Sequence, residues 1–420
     1  MHRHALTSFA RRLLIAAAVF PLPSVALAQS SAADGTDPQS FFVLNNPGDP
    51  AFNQLLGINN ARVIVGYFGD GAVVLNNGYV LVPKNHYSVE NFTNVPSGDF
   101  ASQTQAIGIN TRRFPDIVGF YTDNATGFTH GFLDSNGAQS PIDDPTGSPP
   151  NVAAPVQNLL GINNRDKAAG FWTDNNAHEH GFVVELNTQS LSSSTFIEIP
   201  PTTFPGAVAT QASDITNNDQ VCGFWTDGNG NNHGFIGFLG QTFSSFKVKI
   251  NRMTATSTSP FGCNDDGEIV GSFTDTAGNV HGFIFLGGKF FQFDAIGSSQ
   301  TPAFGVMGTL INGVNDRGDI VGFFSDGKNV NGFVNFALGD RGAYVGLSFA
   351  VLVGATSADQ GFGLYHPTWR WNRRSSTLQA ALQGDRQWAR LGRNPDTAAG
   401  AALVLSATSL RLRVKQGIST

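Results

Sequence analysis

The sequence predicts an all-β protein: a six-bladed β-propeller of four-stranded blades, its last blade closed by the N-terminal strand, followed by an irregular C-terminal tail. Three observations carry this. One glycine recurs as Gly66, Gly119, Gly170, Gly223, Gly271 and Gly322, a period of about 51 residues that suits a four-stranded blade. Each copy holds short apolar runs separated by Asn, Asp and Gly turns. The chain also opens on a fourth-strand type, Phe41-Phe42-Val43-Leu44, and its last copy ends on a third-strand type, Gly332 to Phe336. The two can share one sheet and leave no open edge.

Each copy begins with a strand ending in Gly57-Ile58-Asn59, Gly108-Ile109-Asn110, Gly161-Ile162-Asn163, Asp214-Ile215-Thr216, Gly262-Cys263-Asn264 or Gly313-Val314-Asn315. Turns such as Asn264-Asp265-Asp266-Gly267 supply the left-handed or self-capping backbone a hairpin needs. The second strand runs through the repeat glycine into an aromatic pair such as Phe224-Trp225. Four residues past that glycine stands Asp70, Asp123, Asp174, Asp227, Asp275 or Asp326. The third strand opens at His130, His180, His233 or His281, each followed by Gly-Phe, with Asn77 and Asn331 in the outer copies. Fourth strands, such as Phe196-Ile197-Glu198-Ile199 and Phe290 to Phe293, vary most.

Pairing Asp227 opposite His233 would place Trp225 opposite Phe235. On that register each central blade carries an Asp and His pair: Asp123 with His130, Asp174 with His180, Asp227 with His233 and Asp275 with His281. The structural reading has His orienting Asp at the hairpin mouth. The functional reading has a rim of carboxylates and imidazoles binding a cation or ligand.

This Asp, His-Gly-Phe and glycine pattern resembles the HAF (His-Ala-Phe) repeats of predicted extracellular bacterial proteins, with Gly in place of Ala. The resemblance covers roughly residues 40 to 336. It implies an exported, propeller-like repeat protein and brings no catalytic residues with it.

Residues 1 to 28 read as an export signal: His2, Arg3, Arg11 and Arg12, an apolar Leu13 to Phe20, then Ala26-Leu27-Ala28 before Gln29. Residues 29 to 39 form a small, polar linker, residues 40 to 336 the repeats, and 337 to 420 a basic extension of low order. Within that extension Ser376 to Arg390 suits a helix and Ala401 to Val414 a strand. No second stretch approaches the length of a membrane span. The extension carries ten basic and four acidic residues, whereas residues 29 to 336 carry 12 basic and 27 acidic, a net of −15. An acidic body is unsuited to a phosphate backbone, which argues against nucleic acid as partner.

Cys222 and Cys263 replace core aliphatics of the repeat in neighbouring blades, so a disulfide and two inert thiols both fit. Asp227-Gly228-Asn229-Gly230-Asn231 resembles the start of a calcium loop but lacks the later bidentate Glu, so no cofactor or metal is expected. No nucleophile elbow, His-Glu-x-x-His, Walker loop or Cys-x-x-Cys is present. Because the blades repeat their polar residues symmetrically, the reading is a secreted or periplasmic, monomeric binding or scaffolding module for a protein or glycan. One alternative is a glycan hydrolase or lyase using acids outside the repeat grammar, Glu90, Glu179, Glu185 and Glu198, at one channel mouth. The other is a purely structural surface protein.

Overall fold

A computed structural model describes residues 41–84, 86–92, 101–149 and 151–337, together with three short strands beyond them. The export signal and linker, residues 1 to 39, lie outside the described residues. The described part of residues 41–337 is a ring of six four-stranded antiparallel sheets. The first five blades keep chain order. Blade 1 is Asn53–Ile58, Ile64–Phe68, Asn77–Lys84 and His86–Phe92. Blade 2 is Ala101–Ile109, Ile117–Asp123, Thr129–Ser135 and Ala138–Pro141. Blade 3 is Gln157–Ile162, Lys167–Thr173, Glu179–Glu185 and Thr195–Ile199. Blade 4 is Ala207–Ile215, Gln220–Asp227, Asn232–Phe238 and Ser244–Phe246. Blade 5 is Ser257–Cys263, Ile269–Thr274, Val280–Leu286 and Lys289–Phe293.

Blade 6 takes Thr309–Val314, Ile320–Ser325 and Val330–Asn335 from the end of the array and Phe41–Val43 from its start. Phe41 pairs with Asn335 and Val43 with Phe333, and the Leu44 N–H donates to the Gly332 carbonyl at 2.9 Å. The ring therefore closes as the order of strand types predicted.

A bulge in every inner strand explains the repeat glycine. The register shifts at Leu55/Gly57, Ala106/Gly108, Leu159/Gly161, Ala212/Asp214, Pro260/Gly262 and Ile311/Gly313. Just before the bulge a carbonyl turns onto the neighbouring strand. A Cβ on Gly223 would fall inside the radius of the Gln211 carbonyl oxygen, and the other five glycines meet the same obstacle. The cleared space takes the third-strand aromatic, so Phe235 lies opposite Gly223 and is wholly buried.

The apolar core lies mainly between blades. Leu159, Phe182 and Trp172 of blade 3 meet Val118 and Leu133 of blade 2, and Ala169 and Val183 meet Val221, Trp225 and Phe235 of blade 4.

Two sets of hydrogen bonds tie the inner strands at one end of the channel. The residue ending each inner strand is an Asn in five blades. Asn59, Asn110, Asn163, Asn264 and Asn315 each donate Nδ2 to the equivalent carbonyl of the next blade, at 2.9 to 3.3 Å. Their Oδ1 atoms accept N–H groups two and four residues on, as Asn315 does from Arg317 and Asp319, except that the longer turn of blade 2 makes them two and six residues on from Asn110. The following residue forms a second, closed ring in which a backbone N–H meets the next blade's side-chain oxygen: Asn60 to Thr111, Thr111 to Asn164, Asn164 to Asn217, Asn217 to Asp265, Asp265 to Asp316 and Asp316 to Asn60.

The first set is interrupted where Thr216 stands in place of Asn, at the seam between blades 4 and 5. There Cys222 and Cys263 form a disulfide with Cα atoms 6.4 Å apart, which decides between bridge and free thiols. Asp214, in the place of a glycine, accepts the Cys263 N–H at 3.0 Å across the same seam.

Residues 338–420 form a separate unit. Its described residues form a three-stranded antiparallel sheet of Ser348–Val351, Leu403–Ala407 and Leu410–Leu412. Leu403–Ala407 pairs antiparallel with Leu410–Leu412, so the single strand expected over 401 to 414 is divided in two. The helix expected over 376 to 390 lies outside the described residues. No helix among the described residues is long and apolar enough to cross a membrane.

Replacing Asn315 with Ala removes its bonds to Asn59, Asp319 and Arg317 together and takes the acceptor away from the buried Asp319 N–H, while the Asn59 carbonyl keeps the Arg62 N–H. It should lower unfolding stability by about 2 to 4 kcal/mol in chemical denaturation. Replacing both cysteines with Ala opens a link across 41 residues and should cost about 3 to 4 kcal/mol on loop entropy, with the reductant sensitivity of the native protein lost.

Candidate functional site in the central channel

The structure places the four predicted Asp and His pairs on hairpin mouths, in a different register from that expected. His233 lies opposite Trp225, not Asp227, and Phe235 lies opposite Gly223. The reason is the turn: the Asp227 N–H bonds the Asn231 carbonyl, so the hairpin closes two residues earlier than the assumed pairing. Each imidazole consequently lies on a ring, with centroids 3.9 Å apart for Trp225 and His233, 4.2 Å for Trp172 and His180, and 5.2 Å for both Tyr121 and His130 and Phe273 and His281.

The side chains still approach their aspartates in three blades. His233 Nε2 is 3.0 Å from Asp227 Oδ2, while His180 to Asp174 and His281 to Asp275 are 3.6 Å. His130 instead bonds Asp143 through Nδ1 at 2.6 Å, and His281 Nδ1 reaches Asp294 at 2.9 Å.

Each rim aspartate also caps its own turn. Asp227 Oδ1 accepts the Asn229 and Asn231 N–H groups, both at 2.9 Å, and Asp174 and Asp275 do the same in their turns. Burial opposes ionisation of Asp227, but His233 and these N–H donors outweigh it and hold the carboxyl well below the usual carboxylate range. In the turn that resembles a calcium loop, both Asp227 oxygens therefore face protein donors.

The channel differs from the rim in being asymmetric. Its cavity of about 1080 Å³ is lined by all six blades. The second residue of the inner-strand motif points one ring of side chains inward: Gln54, Gln105, Asn158, Gln211, Ser259 and Leu310. Three of them bond the residue that precedes the histidine position in the previous blade. Gln105 Nε2 donates to Asn76 Oδ1 at 3.1 Å, Gln211 Nε2 to Glu179 Oε2 at 2.6 Å, and Asn232 Nδ2 to Ser259 Oγ at 2.9 Å.

Asn158 has no such partner. Both its side-chain polar atoms, together with Gln105 Oε1, Ser213 Oγ and Asn312 Oδ1, are buried in the channel wall without a hydrogen bond from the protein. Across the ring from Asn158 and Ser213, and on the same blade 6 strand as Asn312, Leu310 joins Phe323, Val306, Phe52, Leu56 and Tyr67 in an apolar cluster from blades 6 and 1 and the loops leading into them.

Among the acids expected at a channel mouth whose side chains are described, Glu179 lines the channel. Glu185 pairs with Lys167 at 2.9 Å and Glu198 accepts the Trp172 Nε1–H at 3.0 Å, both away from it. Glu90 lies on the outermost strand of blade 1, opposite Val80. The wall holds a second unusual acid, Asp214, signalled in the sequence as the one copy with aspartate where the other five have glycine. Burial pushes the Glu179 carboxyl up to about 7 against the lowering bond from Gln211. Burial also pushes Asp214 up to about 7, over the N–H donors of Cys263 and Ile215 and with help from the charge of Asp265.

These two carboxyls hold a proton in the folded chain at pH values where the unfolded chain has released it. Folding therefore takes up protons between the ordinary carboxylate value and about pH 7, and stability falls as pH rises through that window. The double variant Glu179→Gln, Asp214→Asn should flatten the decline between about pH 5 and pH 8 in denaturation midpoints. A decline as steep as in the native protein would contradict the assignment.

No protein-family model matches the chain, and no curated protein matches it in sequence. Among solved structures it is similar to the Hadza microbial sialidase Hz136, with a TM-score of 0.44 and 10% identity over 69% of this chain and 66% of that one. It is also similar to the Trypanosoma rangeli sialidase in complex with sialic acid, with a TM-score of 0.42 and 6% identity over 75% and 60%. A third likeness is to the β-propeller domain of the Trilobed protease from Pyrococcus furiosus, with a TM-score of 0.35 and 9% identity over 67% and 82%. The chain thus spans about two thirds or less of the two sialidases, and at these identities the likeness concerns the fold alone.

Proposed function

We infer that this is an exported binding module of the HAF-repeat type whose ligand enters the central channel. The observation that carries the reading is the set of unpartnered polar atoms on Gln105, Asn158, Ser213 and Asn312 in the channel wall. Buried polar groups are ordinarily paired, and leaving one unpaired costs about 1 to 3 kcal/mol. Several together in one cavity support a site kept for something that enters it.

The aspartates of the rim support the reading from the other side, because each already caps its own turn. The hydrolase alternative requires two carboxyls free to face a substrate. Asp214 holds one oxygen on the Ile215 N–H and the other on the Cys263 N–H, while Glu185 and Glu198 are paired on other faces. The disulfide and the signal-like N-terminus fit an oxidising, exported location.

The test is a channel plug. Ser213→Phe copies at blade 4 the residue that blade 5 carries at the equivalent position, Phe261, so the strand has a precedent for it. In a glycan-array and pull-down screen of the mature protein, any ligand of the channel should lose at least about tenfold in affinity to S213F. It should keep its affinity for Asp123→Asn at the rim. The opposite pattern would transfer the function to the rim.

A further inference from the structure

We propose that the channel ligand is the uncharged, hydroxyl-rich end of a glycan, a pyranose held with its polar edge on blades 2 to 4 and its apolar face on blades 6 and 1. The inference rests on the channel reading above and adds the chemistry of the occupant.

The unpartnered atoms lie just beneath the channel surface, and side chains turned into the cavity there select hydroxyl groups. Gln105 Oε1 and Asn158 Oδ1 only accept, as does Asn312 Oδ1 on blade 6 beside the apolar face, Asn158 Nδ2 only donates, and Ser213 Oγ does both. A cationic amine donates only and would leave Asn158 Nδ2 unpaired. A carboxylate or sulfate accepts only and would leave the three carbonyl oxygens unpaired. A hydroxyl donates and accepts, so a row of vicinal hydroxyls can satisfy both kinds.

Charge points the same way. Among the described residues, those lining the channel include Asp70, Glu179, Asp214, Asp265 and Asp316 and no Lys, Arg or His. An anionic sugar would enter without a counter-charge, at a heavy desolvation penalty. The acids do not invite a cation either, since they are engaged: Asp70 on three N–H groups of its turn, Asp265 and Asp316 in the inter-blade ring, Glu179 on Gln211 and Asp214 on two backbone N–H groups.

Shape supplies the third argument. A pyranose has a hydroxyl edge and a C–H face, and the channel is divided in the same way. At the level where five blades present Gln54, Gln105, Asn158, Gln211 and Ser259, blade 6 presents Leu310, with Val280 of blade 5 beside it and Phe323 and Val306 behind. A cavity of about 1080 Å³ holds a short oligosaccharide and not a folded protein segment.

The test uses the mature chain in titration calorimetry with matched sugars: neutral methyl pyranosides and their di- and trisaccharides, the corresponding glucuronides, and the corresponding 2-amino sugars. A neutral series should bind, with its glucuronide at least about tenfold weaker, because an unpaired buried charge or polar group is penalised that heavily. Asn158→Leu, an apolar side chain of similar size, should weaken the neutral sugar by about tenfold or more, and Gln105→Leu serves as a second variant should the first not fold. Glu185→Gln, at the exposed end of the third strand of blade 3 and away from the channel, should leave affinity unchanged.

A glucuronide or amino sugar that binds as well as the neutral sugar and is blocked by S213F overturns this inference while leaving the channel reading in place. A neutral sugar whose binding ignores both S213F and N158L removes the channel reading itself. Failure of every neutral sugar to bind at concentrations on the order of 10 mM overturns the proposal.

Discussion

The structure depends on holding six inner strands close together around one axis. At the bulge of each strand the backbone comes so near its neighbour that glycine is needed on both counts. The repeat glycine admits a carbonyl from its own blade, and the inner-strand glycine admits backbone from the next. A Cβ on Gly57, for example, would press on the Ile107 carbonyl. Backbone that close must be locked in register, and the asparagine that follows does this with a single side chain. Its amide N–H₂ crosses to the next blade while its oxygen folds its own turn, so one residue sets the hairpin and the spacing between blades together. A ring made this way has no weak end, because the seam between blades 6 and 1 carries the same Asn315 to Asn59 bond as the others.

Periodicity was enough to read blade number, blade order and closure, because glycine, aspartate and aromatic positions are fixed by local backbone requirements that recur every 51 residues or so. The hairpin register was less legible. Asp227 and His233 share a turn whose length the sequence does not state, and an offset of two residues exchanges the partner of His233 from aspartate to tryptophan while keeping the same face. The asparagines at the inner-strand ends were visible as turn residues, but their bonds to the next blade lie about 51 positions away in sequence. No local pattern announces such a contact.

The channel was the least legible part, and the reason is physical. The second inner-strand residue faces the cavity, so neither the ladder nor the bulge dictates its chemistry. Gln54, Asn158, Ser259 and Leu310 share no pattern to count. Its only signals are departures from the repeat, such as Asp214 for glycine and Thr216 for asparagine. Of the acids singled out because they stand outside the repeat, Glu179 faces the channel while Glu185 and Glu198 serve salt-bridge and indole contacts. Irregularity alone thus marks a residue for inspection without assigning it a role.

The seam between blades 4 and 5 shows how such a departure is absorbed. Thr216 has no amide to donate, so the bond that every other seam makes is missing there. Two substitutions restore the tie by other means: Asp214 receives the Cys263 N–H, and Cys263 itself is bonded to Cys222. A disulfide tolerates the carboxyl beside it because it needs no hydrogen-bond partner from the channel wall. The carboxyl in turn is admitted because both its oxygens accept backbone N–H groups, while burial pushes it up to about 7. A ring built from six equal seams can therefore give up one of its asparagine bonds to bring a different group to the channel, provided a covalent link takes over the mechanical task at that position. The covalent reinforcement thus sits where the inner strand departs furthest from the repeat, with Asp214 for glycine and Thr216 for asparagine.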